Sequence, residues 1–211
     1  MAHEHVIEIY DVVIVKMTAR WYAEVLSRLP NNSKVLDIGI GTGTALARNR
    51  EAIVDKDLQI VGVDYEEAYI KKCVRVGRDA QLEDHLRAIC ASVYDENLRQ
   101  LTGDGFDAVY FSGSISLMPD PVEALKATAK LLKKGGVIYV TQTFQRKGSV
   151  VFAWIKPLLK YVTTIDFGKL TYESEFDLIC EKSGMKVLEK SIISGSIDNY
   201  FQGAFVIVLK P

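Results

Sequence analysis

The sequence predicts an α/β domain whose central strands run parallel and are covered by helices on both faces. Three observations predict it. Short apolar runs, Val35-Leu36-Asp37-Ile38 and Leu58–Val63 among them, alternate with stretches of helical periodicity, the pattern of a sheet crossed by helices. The turn Gly39-Ile40-Gly41-Thr42-Gly43 leads from the first of these runs into Thr44 and the good helix formers Ala45-Leu46-Ala47-Arg48. Length is the third: 211 residues suit one domain with a sizeable core, at the usual size of about 100–200 residues. A single domain is therefore expected over residues 1–211, with a helical segment over 1–30 and an insertion over 145–170.

Composition narrows the function classes. Charged residues at 25% and hydrophobic residues at 48% are ordinary globular values, which argues against a disordered chain or a membrane protein. A net charge of −1 lacks the electrostatic footprint of a nucleic-acid binder, so no nucleic acid is expected and small or lipid-like substrates are favoured. Cys73, Cys90 and Cys180 are far apart, lack metal-ligand spacing and read as reduced core thiols. The polar start Met1-Ala-His-Glu-His begins no secretory signal, and no apolar run is long enough to span a bilayer. The expected location is the cytoplasm.

Along the chain, residues 6 to 29 carry Val12, Val15, Ala19, Tyr22, Val25, Leu26 and Leu29 at helical spacing, stopped by Pro30-Asn31-Asn32. The β-branched Val6–Val15 part leaves two shorter helices as an alternative. The first strand then enters the glycine turn. A dinucleotide fingerprint counted from Gly39 needs glycine at Thr44, and one counted from Gly41 fails at Gly43. What stands instead is Asp37-x-Gly39-x-Gly41-x-Gly43. An acid two residues before the first glycine suits a cationic ammonium and repels a pyrophosphate, while the helix opening at Thr44 turns free amides toward the turn.

A helix over about 44–54 leads to the strand Leu58–Val63, which ends at Asp64, 21 residues past Gly43. A carboxylate there is placed to accept ribose hydroxyls. A helix over about 66–83, with Ala68, Ile70, Val74 and Val76 inward, precedes the third strand Leu86–Ala91. Gly103-Asp104-Gly105 is a turn, and Phe106–Phe111 is a fourth strand followed by the small-residue loop from Ser112. Asp120 caps a helix from Pro121 to Leu132, which Lys133-Lys134-Gly135-Gly136 ends before the strand Val137–Thr141. Residues 145–170 follow with Phe152, Trp154, Ile155, Leu158, Leu159 and Tyr161. Their readings are a lid or pocket wall, a homodimer contact, a membrane-surface helix through 150–161, or packing on the domain itself, which is favoured. Thr171 caps a last helix to Ser183-Gly184, and Met185–Ile193 with Gly203–Leu209 form a terminal strand pair.

The stretch Lys34–Arg48, the strand-end Asp64-Tyr65, Phe106-Asp107 with the loop to Pro121, and the helix, double-glycine and strand run to Thr141 together resemble the class I S-adenosylmethionine-dependent methyltransferases of the small-molecule, type 11-like kind. The resemblance covers about residues 30 to 145. It implies a Rossmann-like, seven-stranded, mostly parallel sheet of order 3-2-1-4-5-7-6, strand 7 antiparallel, with helices on both faces. It implies S-adenosyl-L-methionine as cofactor and a small-molecule or lipid-like methyl acceptor. The implied cofactor residues are Asp37, Gly39, Gly41, Gly43 and Thr44 in the cradle and Asp64 at the ribose. Tyr65, Ser92 and Val93 lie beside the adenine, and Ser112, Gly113 and Ser114 line the methionine part. Many family members have an acid where Ser92 stands, so Ser92 or Asp95 takes the adenine amino group here. Tyr10, Trp21 and Tyr22 are candidates to cover the cofactor, with core packing favoured for each.

The sequence offers no metal set and no convincing general base: His3 and His5 lie on a tail, and His85 precedes the third strand on the side away from the site. No catalytic residue is assigned. The rival readings are an NAD(P)-dependent reductase, disfavoured by the missing third fingerprint glycine and Tyr-x-x-x-Lys pair, and a non-catalytic protein that binds cofactor or a partner.

Overall fold

The computed structural model of the chain describes residues 2–146 and 172–211, with side chains from Ile14 onward. The leading segment is one continuous helix, α1 (Ala2–Arg28), not two. It feeds β1 (Lys34–Ile38), whose pattern is buried on both faces as a central strand requires. The expected helix over 44–54 is split into α2 (Thr44–Ala47) and α3 (Arg50–Asp55). Asn49 sits at the break, and its side-chain amide donates to Ala19 O at 3.0 Å and Ala45 O at 3.1 Å. That bond to α1 competes with the helix for the chain's direction.

β2 (Gln59–Asp64), α4 (Glu67–Asp79) and β3 (Leu86–Cys90) follow. The inward face of α4 is Ile70, Cys73 and Gly77, whereas Val74 and Ala68, expected inward, are exposed. Glycine at 77 suits this docking, since a Cβ there would stand a tight 3.3 Å from the Leu86 side chain. Cys73 and Cys180 are buried as expected, but Cys90 lies exposed on β3, an edge strand. A short helix that the sequence did not signal, α5 (Leu98–Thr102), precedes β4 (Phe106–Ser112). A single turn of 3₁₀ helix (Ser114–Leu117) then leads to α6 (Pro121–Ala129), capped by the Asp120 carboxylate accepting from Glu123 N–H at 3.0 Å.

α6 ends earlier than expected, and β5 (Leu132–Gln145) takes in the two lysines and both glycines. Two features of β4 explain the shift. Asp107 holds Lys133 in an ion pair and accepts the Lys34 N–H. Gly136 passes so near β4 that a Cβ would stand 3.0 Å from the Phe106 and Asp107 carbonyls. α7 (Glu173–Ser183) begins after Tyr172, whose N–H donates to Glu175 at 3.1 Å, and ends at Gly184. The Thr171 cap and the readings of residues 147–170 lie outside the described residues. β6 (Lys186–Ile192) and β7 (Gln202–Lys210) complete the chain.

The sheet order is β3-β2-β1-β4-β5-β7-β6, as expected. β1 pairs in parallel with β2 and β4, β2 with β3, and β4 with β5. β7 runs antiparallel to both β5 and β6. Two apolar layers cover it. One joins Leu36, Ile38, Phe111, Phe144, Phe176 and Ile207; the other joins Trp21, Tyr22, Leu26, Val35, Tyr110 and Val206. Strand side chains alternate, so Asp37 shares the second face with Val35, beneath α1. Among the described residues no helix is long and apolar enough to cross a membrane.

Candidate functional site

The turn after β1 folds back over the carboxyl edge of the sheet. Gly39 and Ile40 donate their N–H groups to Val63 O at 2.7 and 3.2 Å. Gly39, Gly41 and Gly43 all have positive φ, at 77°, 59° and 67°. Their surroundings differ. A Cβ on Gly39 would stand 2.6 Å from the Ser114 Cβ, and one on Gly43 would stand 2.7 Å from the Cys73 Sγ. Nothing lies within 4 Å of the Cβ position at Gly41. The outer glycines thus admit protein atoms, and the middle one borders open space. Ser114 is fixed beneath by donating its hydroxyl to Ile38 O, and the Thr42 and Thr44 hydroxyls pair at 2.9 Å at the mouth of α2.

Asp37 and Asp64 stand at the ends of adjacent strands, and both are buried. Asp37 Oδ2 accepts the Tyr22 hydroxyl at 2.7 Å, while Oδ1 is buried without a hydrogen-bond partner. Burial, reinforced by the charge of Asp64 and opposed by the Tyr22 bond, pushes the Asp37 carboxyl up to about 7. Asp64 is held by backbone alone: Oδ2 accepts Gly41 N–H at 2.9 Å and Oδ1 accepts Glu66 N–H at 3.0 Å. Each oxygen retains a further acceptor position. The carboxylate therefore both shapes the glycine turn and starts the loop into α4.

Farther along the edge the residues are looser. Tyr65 is 80% exposed. Ser92 is exposed and its Oγ accepts from Tyr94 N–H at 3.2 Å, whereas Val93 is buried in the core. Asp95 turns to Asn97 N–H at 2.8 Å. Tyr94 clamps the start of α6, its phenol donating to Asp120 O at 2.8 Å and accepting Asp120 N–H at 3.0 Å. On the other side, Gly113 donates to Thr141 O at 2.8 Å, and Ser112 Oγ is buried without a partner.

Two of the aromatic candidates on α1, Trp21 and Tyr22, lie in the core. Tyr22 packs edge-on against Tyr110 with ring centroids 5.1 Å apart. Trp21 lies so close to Gly113 that a Cβ would stand 3.2 Å from its ring, and its indole N–H donates to Ser196 Oγ at 3.1 Å. The side chain of Tyr10 is outside the described ones. Sequence reasoning missed Tyr22 as the partner of Asp37 and the Tyr94 clamp, and it placed Ser114 in the methionine lining without its packing under Gly39. Nothing in the spacing of Tyr22 separates it from an ordinary core aromatic. His85 bonds Leu58 O at 3.1 Å, at the opposite edge of the sheet. Among the described residues no cluster of metal-ligating side chains occurs.

A family model described as a methyltransferase domain matches residues 29–154, more than half of the chain. The chain belongs to this family. It is 27% identical over 158 residues to the ubiquinone biosynthesis O-methyltransferase of Pseudomonas aeruginosa (strain LESB58), a match covering 73% of this chain and 65% of that enzyme. The chain thus matches just under two thirds of the curated relative's length. Among solved structures, the [4+2]-cyclase SpnF superposes with a TM-score of 0.72 at 16% identity, covering 91% of this chain and 80% of that one. A methyltransferase from Geobacter sulfurreducens, crystallised with S-adenosyl-L-homocysteine, gives a TM-score of 0.63 at 14% identity, covering 92% and 90%. At such identities the likeness is one of fold.

Proposed function

We propose that the chain is an S-adenosylmethionine-dependent methyltransferase acting on a small-molecule or lipid-like acceptor in the cytoplasm. The observation that carries the reading is the partnerless, buried Oδ1 of Asp37 next to a glycine turn whose middle residue borders open space. These residues fit a nucleoside with a cationic amino-acid end. Asp37 accepts its ammonium, and the backbone at Gly39, Gly41, Gly43 and Thr44 lets it approach closely. Asp64, anchored through Gly41 and Glu66, turns its remaining acceptor positions to the ribose hydroxyls. Tyr65, Ser92 and Val93 border the base, and Ser112 and Gly113 border the methionine chain.

When bound, the cofactor supplies an electrophilic methyl group on a sulfonium. The protein's part is to align an acceptor in line with that methyl and to exclude water around it. The described residues include no evident general base near the cradle, so alignment carries the rate for an amine or a readily ionised hydroxyl. Oxygen is the favoured atom, on the printed activity of the 27%-identical relative.

Isothermal titration with S-adenosylhomocysteine and with NADH tests the cofactor. Binding of the first and not the second is expected, and the reverse would replace the reading with a nicotinamide enzyme. Transfer of a labelled methyl group to a panel of phenols, quinols and amines tests the acceptor. Tight cofactor binding with no transfer to any of them would point to the non-catalytic alternative.

A further inference from the structure

We infer that Tyr22 and Asp37 form a proton-exchanging socket, in which capture of a cationic amino-acid head drives the proton carried by Asp37 out to solvent. The inference rests on the cofactor reading above. Tyr22 is fully enclosed between α1 and the sheet, and burial with the nearby carboxylate raises its phenol well above the ordinary value. Its hydroxyl therefore stays protonated and serves Asp37 Oδ2 only as a donor. Oδ1 is the oxygen left over. It is the atom that bears the proton in the free protein and meets the ligand in the complex.

The groups facing Asp37 are Tyr22 from α1, Asp64 from β2, Tyr110 from β4 and Cys73 from α4. None is a cation, so nothing among the described side chains neutralises a charged Asp37. Desolvation and the like charge of Asp64 hold the carboxyl near half-protonated at neutral pH, about 7. An incoming ammonium supplies the missing positive charge. The Oδ1–H bond breaks, an N⁺–H···O⁻ bond forms, and the released proton passes to buffer. Tyr22 is a positioning residue in this step: it commits Oδ2, leaves Oδ1 to the ligand, and eases ionisation through its hydrogen bond.

The test is titration calorimetry of the full chain with S-adenosylhomocysteine, in buffers of different ionisation heat at pH 6 and pH 7. 5′-Methylthioadenosine, the same nucleoside thioether without the amino-acid head, is the control. Linkage to a carboxyl at about 7 predicts release of roughly 0.9 proton at pH 6 and roughly 0.5 at pH 7, with affinity rising about fivefold between them. Methylthioadenosine binds with no matching change. Tyr22→Phe moves the midpoint of the pH profile upward and regains wild-type affinity at higher pH, whereas loss of packing alone lowers affinity equally at every pH. Asp37→Asn abolishes the proton release. A flat profile with S-adenosylhomocysteine bound, or proton release that survives Asp37→Asn, overturns the socket while leaving the cofactor reading intact. Failure of both ligands to bind at any pH overturns the cofactor reading and the socket with it.

Discussion

At the β1 end of the cradle the protein's own atoms press against the backbone: Ser114 under Gly39, Cys73 under Gly43, and Tyr22 on Asp37. At the β3 end the side chains stand apart, with Tyr65 largely in solvent and the Ser92 hydroxyl folded back on Tyr94 N–H. The first end is shaped before any ligand arrives, which reduces the ordering cost of binding. The second presents a hydroxyl at position 92 and, among the described residues, no carboxylate bonded there. On the proposed cofactor reading, the amino-acid and ribose positions are shaped by the fold, and the base position is left to individual side chains.

The comparison breaks most sharply at the glycines. Gly39→Val forces both a strained φ and an overlap with Ser114, so chemical denaturation should show a loss of roughly 4 kcal/mol. The Cβ of Gly41→Val meets no protein atom within 4 Å, so the variant should lose only about 1–2 kcal/mol of stability for its positive φ. Its S-adenosylhomocysteine affinity should nonetheless fall roughly 100-fold or more. Normal titration of Gly41→Val would mean that the open space is not the cofactor's.

Asp37 gives the next effect, in stability against pH. Its folded carboxyl titrates at about 7 against an ordinary 3.8, so between those values the folded chain keeps a proton that the unfolded chain has lost. Raising the pH through this window therefore destabilises the fold. Wild type should lose on the order of 3 kcal/mol more than Asp37→Asn between pH 4.5 and 7.5, as measured by urea unfolding of both. Equal pH slopes would remove the buried proton from the account.

Asp64→Ala removes the acceptor of the Gly41 and Glu66 amides and, on the proposed reading, that of the ribose. Cofactor binding should weaken by roughly 1.5–3 kcal/mol. Unchanged affinity would detach the sugar from β2. The smallest effect is expected at the loose end. Ser92→Asp places a charged acceptor where the proposed reading puts the adenine amino group and should tighten S-adenosylhomocysteine binding by about 0.5–1.5 kcal/mol. Weaker binding would show that the base lies elsewhere.

Local backbone demands made the β1 end legible in the sequence. Three alternating glycines after a buried apolar run have few uses, and the structure gives all three the left-handed φ that the spacing suggested. Strand order followed from the family resemblance, since periodicity alone does not rank neighbours in a sheet. What escaped depended on distant partners. The break at Asn49 is made by a carbonyl on α1, and the early start of β5 by Asp107 on β4. The Tyr22 hydroxyl finds Asp37 only once α1 lies across the sheet. In the base region, Ser92, Tyr94 and Asp95 are common loop residues whose hydrogen bonds no pattern announces.

β7 is slotted between β5 and β6, antiparallel to each. During synthesis, β1 to β5 leave the ribosome with one side of β5 unmatched, and β6 has no neighbour to join until residues 202–210 emerge. The unmatched sides of β5 and β6 gain their partner together, when β7 lies down between them.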